Sequence, residues 1–177
     1  INLFWDNEKG GFFLYGSDSE QLITRPKEAY DGATPSSNSV AAMNLIRLSR
    51  LTGRYDLEEK AIKILQCFSS ELNNYPAGFS YMLCAILYLT AKSREVVIAG
   101  EQDKGAVNLL NVIRHKYLPF TTVLYYNQEN RALDSIVPFI SGYSPAGNGK
   151  AAAYVCINNL CESPVTEAEA LRHILSR

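Results

Sequence analysis

The chain has 177 residues, 47% of them hydrophobic, 20% charged and 11% aromatic, with 17 Lys+Arg against 18 Asp+Glu. That is the composition of an ordinary globular protein of one domain or two small ones, and it excludes a disordered or fibrous chain. Charge is balanced locally as well, with 9 basic and 10 acidic side chains over residues 1–92 and 8 of each over 93–177, so there is no electrostatic footprint for nucleic acid or an acidic membrane.

The chain opens Ile-Asn-Leu-Phe-Trp, without an initiator Met, a basic n-region or a cleavage site. It reads as the cut edge of something longer rather than as a signal peptide. A loop-rich stretch follows to Asn38. After the cap cluster Ser36-Ser37-Asn38-Ser39, apolar residues at Val40, Ala41, Leu45, Leu48 and Leu51 predict a helix that Gly53 stops. A second helix is expected over 56–72, with Ala61, Leu65, Phe68 and Leu72 on one face, and a third over 77–91. The third contains the longest apolar run, Tyr81 to Leu89, nine residues against the ~20 a membrane span needs. Being apolar nearly all round, it should be covered on several sides, with Cys67 and Cys84 as core packing.

Past Ser93 short β-rich runs alternate with helical ones. Strands are expected at Glu95 to Ala99, Thr121 to Tyr126 and about Ala152 to Ile157. Between the first two, Asp103 caps a helix carrying Val107, Leu110 and Arg114. Another helix is expected from Asn130 to about Ile140, interrupted by Pro138, and a last one begins with Thr166 as N-cap and Glu169 completing a capping box. Strands separated by helices require crossovers, so this half is a small parallel or mixed α/β unit.

The ordered residues Trp5-Asp6, Gly10-Gly11-Phe12-Phe13, Asp18, Arg25-Pro26-Lys27-Glu28 and Asp31-Gly32-Ala33-Thr34-Pro35-Ser36-Ser37-Asn38-Ser39 resemble the YyaL-like thioredoxin-domain-containing proteins, the spermatogenesis-associated protein family. Glu95 to Gly100 and the Cys156-x4-Cys161-x2-Pro164 run agree, so the resemblance covers nearly the whole chain; Ser37 departs from it where Gly is usual. The resemblance implies a C-terminal piece of a larger protein whose thioredoxin-like domain and most helical hairpins lie outside this chain. The expected fold is mainly α with α/β: a partial (α/α) helical-hairpin toroid, resembling six-hairpin glycosidases and sugar 2-epimerases, over 1–92, followed by the small α/β subdomain over 93–177. It implies a carbohydrate-binding or carbohydrate-processing role, with the piece itself inactive. The alternative is a non-enzymatic scaffold that positions the thioredoxin-like domain for redox clients.

Residues 5–38 mix aromatic, carboxylate and amide side chains, a combination that suits sugars: ring faces cover C–H patches while polar groups bind hydroxyls. Trp5, Asp6, Arg25, Lys27 and Asn38 are the candidate substrate-binding residues. Glu28 and Asp31 are the candidate carboxylate pair for glycoside hydrolysis, which needs two such groups flanking one bond; the competing assignment is a turn at Asp31-Gly32 with solvated or ion-paired Arg25 and Lys27. His115 and His173 lie on the C-terminal helices, away from this segment, and suit surface positions near helix ends. Cys156 and Cys161 do not have Cys-x-x-Cys spacing and read as buried or idle thiols, with a disulfide or metal pair as the alternative. Gly142 to Lys150 fails the P-loop pattern, because Ser144 replaces the first glycine and Ala151 the magnesium-binding hydroxyl, and reads as a flexible connection. No cofactor or metal is expected. The expected partners are a sugar and the remainder of the parent protein or a second copy, and the expected compartment is the reducing cytoplasm.

Overall fold

Interleaved helical and β signals of this kind should give separate hydrophobic cores. In the computed structural model the chain divides into two compact units, residues 1–50 with 54–90, and residues 51–53 with 91–177. The structure describes residues 1–20, 23–147, 149–157 and 160–177, so Asn148 of the Gly142–Lys150 connection lies outside the described residues.

The first unit carries α1 (Ser37–Thr52), α2 (Tyr55–Cys67), α3 (Ser69–Asn74), a 3-10 turn at Pro76–Phe79 and α4 (Ser80–Thr90). Ser36 caps α1, its Oγ accepting from the Ser39 N–H at 3.2 Å. The buried face of α1 is Asn38, Ser39, Ala42, Met43, Leu45, Ile46 and Ser49, a stripe rotated from the expected one; Leu48 is exposed. Apolar residues occur all round this helix, and the polar pair Asn38 and Ser39, rather than Val40 and Ala41, sets which face turns inward.

The single helix expected over 56–72 is broken at Phe68, whose backbone (φ −107°, ψ 14°) leaves the helical region. Ser69 Oγ donates to the Gln66 carbonyl at 2.8 Å, a side chain competing for a helical acceptor. Leu57, Ala61 and Ile64 form the buried face of α2, so Ile64 takes the place expected for Leu65. In α4 only Met82, Ala85 and Tyr88 are buried. Cys84 is exposed and Cys67 half-buried, which corrects their reading as core packing.

The second unit is a four-stranded mixed sheet in the order β2-β1-β3-β4, made of β1 (Arg94–Ala99), β2 (Thr121–Tyr126), β3 (Ala152–Ile157) and β4 (Leu160–Cys161). β1 pairs parallel with β2 and antiparallel with β3, which pairs antiparallel with β4. The parallel pair is joined through α5 (Lys104–Arg114), whose N-cap is Asp103, accepting from Ala106 N–H at 2.8 Å. β1 is central, so both its faces are covered. Val96 and Ile98 pack with Leu109, Val112 and Ile113 of α5 and with Leu171 and Ile174 of α6 (Ala168–Ile174), while Val97 points the other way onto Val137 and Ile140.

The helix expected at 130–140 is instead two 3-10 segments, Gln128–Ser135 and Ile140–Gly142. Asn127 and Asn130 form a reciprocal capping box, Asn130 itself is non-helical (φ −112°, ψ 29°), and Pro138 lacks the N–H that a continuous helix would use. Thr166 is not the cap of α6. Val165 and Ala153 exchange backbone hydrogen bonds at 2.8 and 3.0 Å, holding the chain extended there, and Glu167 becomes the N-cap without a side-chain bond. Among the described residues, no helix is long and apolar enough to cross a membrane.

Gly100 ends β1 at φ 146°, and a Cβ on it would lie 2.6 Å from Ala151 Cα. Gly100→Ala is therefore expected to lower stability by about 2 kcal/mol or more, read as a shifted urea midpoint by circular dichroism. Gly142→Ala, where nothing lies within 4 Å of the added carbon, should stay within about 0.5 kcal/mol of the parent.

Candidate functional site

The loop-rich segment is organised by two tight features. Asp6 opens a turn: its N–H bonds the Gly11 carbonyl at 2.9 Å and its carbonyl accepts from Gly10. Gly10 and Gly11 sit at φ 74° and 81°, conformations that side chains resist. The turn brings Trp5 against Phe12 as an isolated antiparallel bridge, with the two rings edge to face at 5.1 Å. A second bridge joins Phe13 to Lys27.

A cleft of about 550 Å³ opens on this turn, lined by Trp5, Asp6, Phe13, Arg25 and Lys27 with Asn7, Glu8 and Lys9 at its rim. A second cleft of about 470 Å³ shares Trp5 and Asn7 and adds Arg54, Asp56 and Lys60; Lys60 Nζ stands 5.9 Å from the centroid of the Trp5 ring. Four of the seven residues nominated from the sequence, Trp5, Asp6, Arg25 and Lys27, thus meet in one cleft. Phe13, Asn7, Glu8 and Lys9 complete its lining, and Lys60 belongs to the neighbouring cleft. The first four were legible as neighbours of the Trp5-Asp6 and Gly10-Gly11 motifs, whereas Lys60 arrives from α2 with no sequence signal.

Two of the charges in the cleft neutralise each other. Lys27 Nζ lies 2.7 Å from Asp6 Oδ2, with both side chains 13% exposed, and also donates to the Gly10 carbonyl at 2.6 Å and to Cys67 Sγ at 3.6 Å. Asp6 Oδ1 accepts from the Glu8 and Lys9 N–H groups at 2.8 and 3.2 Å. Burial pushes the Asp6 carboxyl up, but the hydrogen bonds from Lys27, Glu8 and Lys9 outweigh it and hold the group below its ordinary 3.8. Arg25 lies over the Phe13 ring at 4.0 Å and donates to the Leu3 and Tyr15 carbonyls at 3.2 and 3.0 Å. Its buried Nε has no hydrogen-bond partner among the described residues.

Glu28, Asp31 and Asn38 do not line this cleft. The Glu28 side chain is exposed. Asp31 is 8% exposed; its Oδ1 accepts from Ser36 N–H at 2.8 Å and its Oδ2 from Tyr81 and Met82 N–H at 2.8 and 3.1 Å. The carboxylate thereby joins the approach to α1 to the first turn of α4, where the helix dipole favours it. Asn38 is fully buried. It behaves as a strand partner, accepting from Phe12 N–H at 2.7 Å and donating to the Phe12 and Glu28 carbonyls at 2.9 and 2.8 Å.

In the second unit, the reading of Cys156 and Cys161 as idle thiols is corrected: they form a disulfide. They are directly opposed on β3 and β4. The Glu162 N–H bonds the Val155 carbonyl at 2.9 Å, which makes Cys156 and Cys161 the neighbouring non-hydrogen-bonded pair, where side chains approach most closely. The signal available in the sequence was the spacing of five residues at the end of a strand, which fits a short hairpin. Among the described residues, no cluster of three His, Cys, Asp or Glu could hold a metal ion.

The chain is similar to spermatogenesis-associated protein 20 of Homo sapiens, with 32% identity over 176 residues covering 98% of this chain and 22% of the relative. The protein of the same name from Rattus norvegicus shows the same identity and coverage, and an uncharacterised protein of Caenorhabditis elegans shows 25% identity over 175 residues, covering 98% of this chain and 23% of the relative. The chain therefore spans about a fifth of the length of the curated relatives it matches. No protein-family model matches it.

Three variants test the framework. Lys27→Met leaves the Asp6 carboxylate without its cation and should cost about 2 kcal/mol of stability at pH 7. Because the folded pKa of Asp6 lies below 3.8, its stabilisation is complete above that pH and disappears as pH falls through the folded value. An acid titration of stability should therefore lose part of its steepness below pH ~4 in Asp6→Asn. Asp31→Ala strands three backbone N–H groups and is expected to cost about 3 kcal/mol or more, checked by chemical denaturation.

Proposed function

We propose that this chain is the carboxyl-terminal part of a protein of the spermatogenesis-associated, YyaL-like family, and that its Trp5 cleft binds a neutral carbohydrate. The observation that carries the reading is the convergence of Trp5, Asp6, Arg25 and Lys27 in one cleft. Asp6 and Lys27 neutralise each other and Arg25 is held by carbonyls and a ring. The lining therefore presents aromatic surface beside one neutral ion pair and one guanidinium already engaged by carbonyls and a ring, together with Asn7, Glu8 and Lys9. An uncharged, hydroxyl-rich ligand with apolar C–H faces matches that arrangement better than a phosphate or a carboxylate.

Binding rather than hydrolysis is proposed for the cleft, since Glu28 and Asp31 lie off its lining and the Asp31 oxygens are occupied by three N–H groups. The helices α1, α2 and α4 belong, in this reading, to the last hairpins of an (α/α) toroid.

Trp5 is the sole tryptophan of the chain, so intrinsic tryptophan fluorescence reports on the two clefts that this ring lines, and Phe13, which lines only the first, tells them apart. Titration of the chain with monosaccharides, short oligosaccharides and sugar phosphates should give a saturable change with a neutral sugar. Phe13→Ala should weaken it about tenfold, equivalent to ~1.4 kcal/mol. No response to any neutral sugar, or a response confined to the phosphates, would overturn this reading, and the former would favour the scaffold for redox clients.

A further inference from the structure

The Cys156–Cys161 disulfide is asymmetric in its exposure. Cys156 is 4% exposed and sits inside the register of β3 against Glu95 of β1. Cys161 lies on the two-residue strand β4, both of whose residues are exposed. The Tyr143 hydroxyl stands 3.5 Å from Cys156 Sγ and 3.6 Å from Cys161 Sγ. A disulfide sulfur carries no proton, so the phenol is the donor in both contacts. The Tyr143 ring is fixed edge to face between Phe139, at 6.3 Å, and Tyr154, at 4.8 Å. Burial first, and then the charge of Glu95, push its ionisation above the ordinary 10.0, so the donor keeps its proton throughout the neutral range.

From this geometry we infer that the pair is a thiol–disulfide exchange site for small thiols and dithiols, with Cys161 as the sulfur attacked and Cys156 as the leaving group. An incoming thiolate bonds to Cys161 Sγ as the Cys156–Cys161 bond breaks, and the bonding electron pair departs on Cys156 Sγ, which Tyr143 is placed to stabilise by hydrogen bonding. With a dithiol, its second thiolate attacks its own first sulfur in the mixed disulfide and releases Cys161. The dithiol is oxidised to a disulfide, the protein pair is reduced, and each cysteine takes up one proton. Direction follows from access alone, since the exposed sulfur meets the nucleophile and the buried one leaves, while the Tyr143 hydroxyl, at 3.5 and 3.6 Å, is within reach of both. Tyr143 is a positioning residue for the leaving thiolate.

The test uses the full chain with Cys67→Ser and Cys84→Ser, so that only this pair can react. It is incubated with reduced glutathione under native conditions, quenched in acid, and mapped by mass spectrometry of its peptides. The trapped mixed disulfide is expected on Cys161 in at least tenfold excess over Cys156. Tyr143→Phe is expected to slow exchange about threefold to tenfold at an unchanged melting temperature, and the adduct position in the parent decides the matter even if that variant is unstable. An adduct mainly on Cys156, free thiols in the purified unreduced chain, or reduction by dithiothreitol only at denaturant concentrations that unfold the protein would each overturn the inference.

Discussion

The first unit depends on one buried carboxylate. Asp31 accepts from Ser36, Tyr81 and Met82, and its own N–H donates to the Gly78 carbonyl at 2.7 Å. Three of these four hydrogen bonds therefore fix one loop residue to a segment about fifty positions further along the chain. Asn38, one residue into α1, then ties the Phe12 and Glu28 backbones to the same helix. These loops carry almost no regular secondary structure, so their buried backbone groups find partners in side chains. The cleft sits on the outer side of that arrangement: Phe12, gripped by Asn38, is the bridge partner of Trp5.

The second unit solves the same problem with a sheet. A central strand reading Val-Val-Ile-Ala needs an apolar layer on each of its faces. Here α5 and α6 cover one face, while 3-10 turns ending in Tyr143 and the ring of Tyr154 cover the other. Those turns also carry the Tyr143 hydroxyl to the disulfide, so a covering layer and a chemical contact come from the same residues.

What could be read from the sequence followed the range of the interactions involved. The strands at 121–126 and 152–157, the Asp103 cap and the Ser36 cap are set by local pattern, and the structure has them. The failures were cases where a distant or competing bond prevailed. Ser69 against the Gln66 carbonyl broke a helix that periodicity would have continued. Pairing of Val165 with Ala153 displaced a capping box that looked complete in the sequence. Among the nominated site residues, the sequence could show that Asp31 and Asn38 were polar and near a turn. It could not show that their polar atoms would be occupied by backbone groups from Phe12, Ser36 and Tyr81. Composition marks a segment as chemically able, and only the fold decides which of its groups remain available.

The same distinction governs what the cleft can bind. An ion pair between side chains each 13% exposed offers a ligand little net field, since each charge is already met by its neighbour and by backbone groups. A charged ligand gains little from that pair, because each partner is already engaged by the other and by backbone groups. On the proposed reading a neutral polyol needs no free charge, laying an apolar face on Trp5 and exchanging hydrogen bonds with Asn7 and Glu8 while the Asp6–Lys27 bond stays intact. On the proposed carbohydrate reading, the Asp6–Lys27 pair, nominated from the sequence as substrate-binding, serves instead to hold the turn together and to cancel two of the charges that line the cleft.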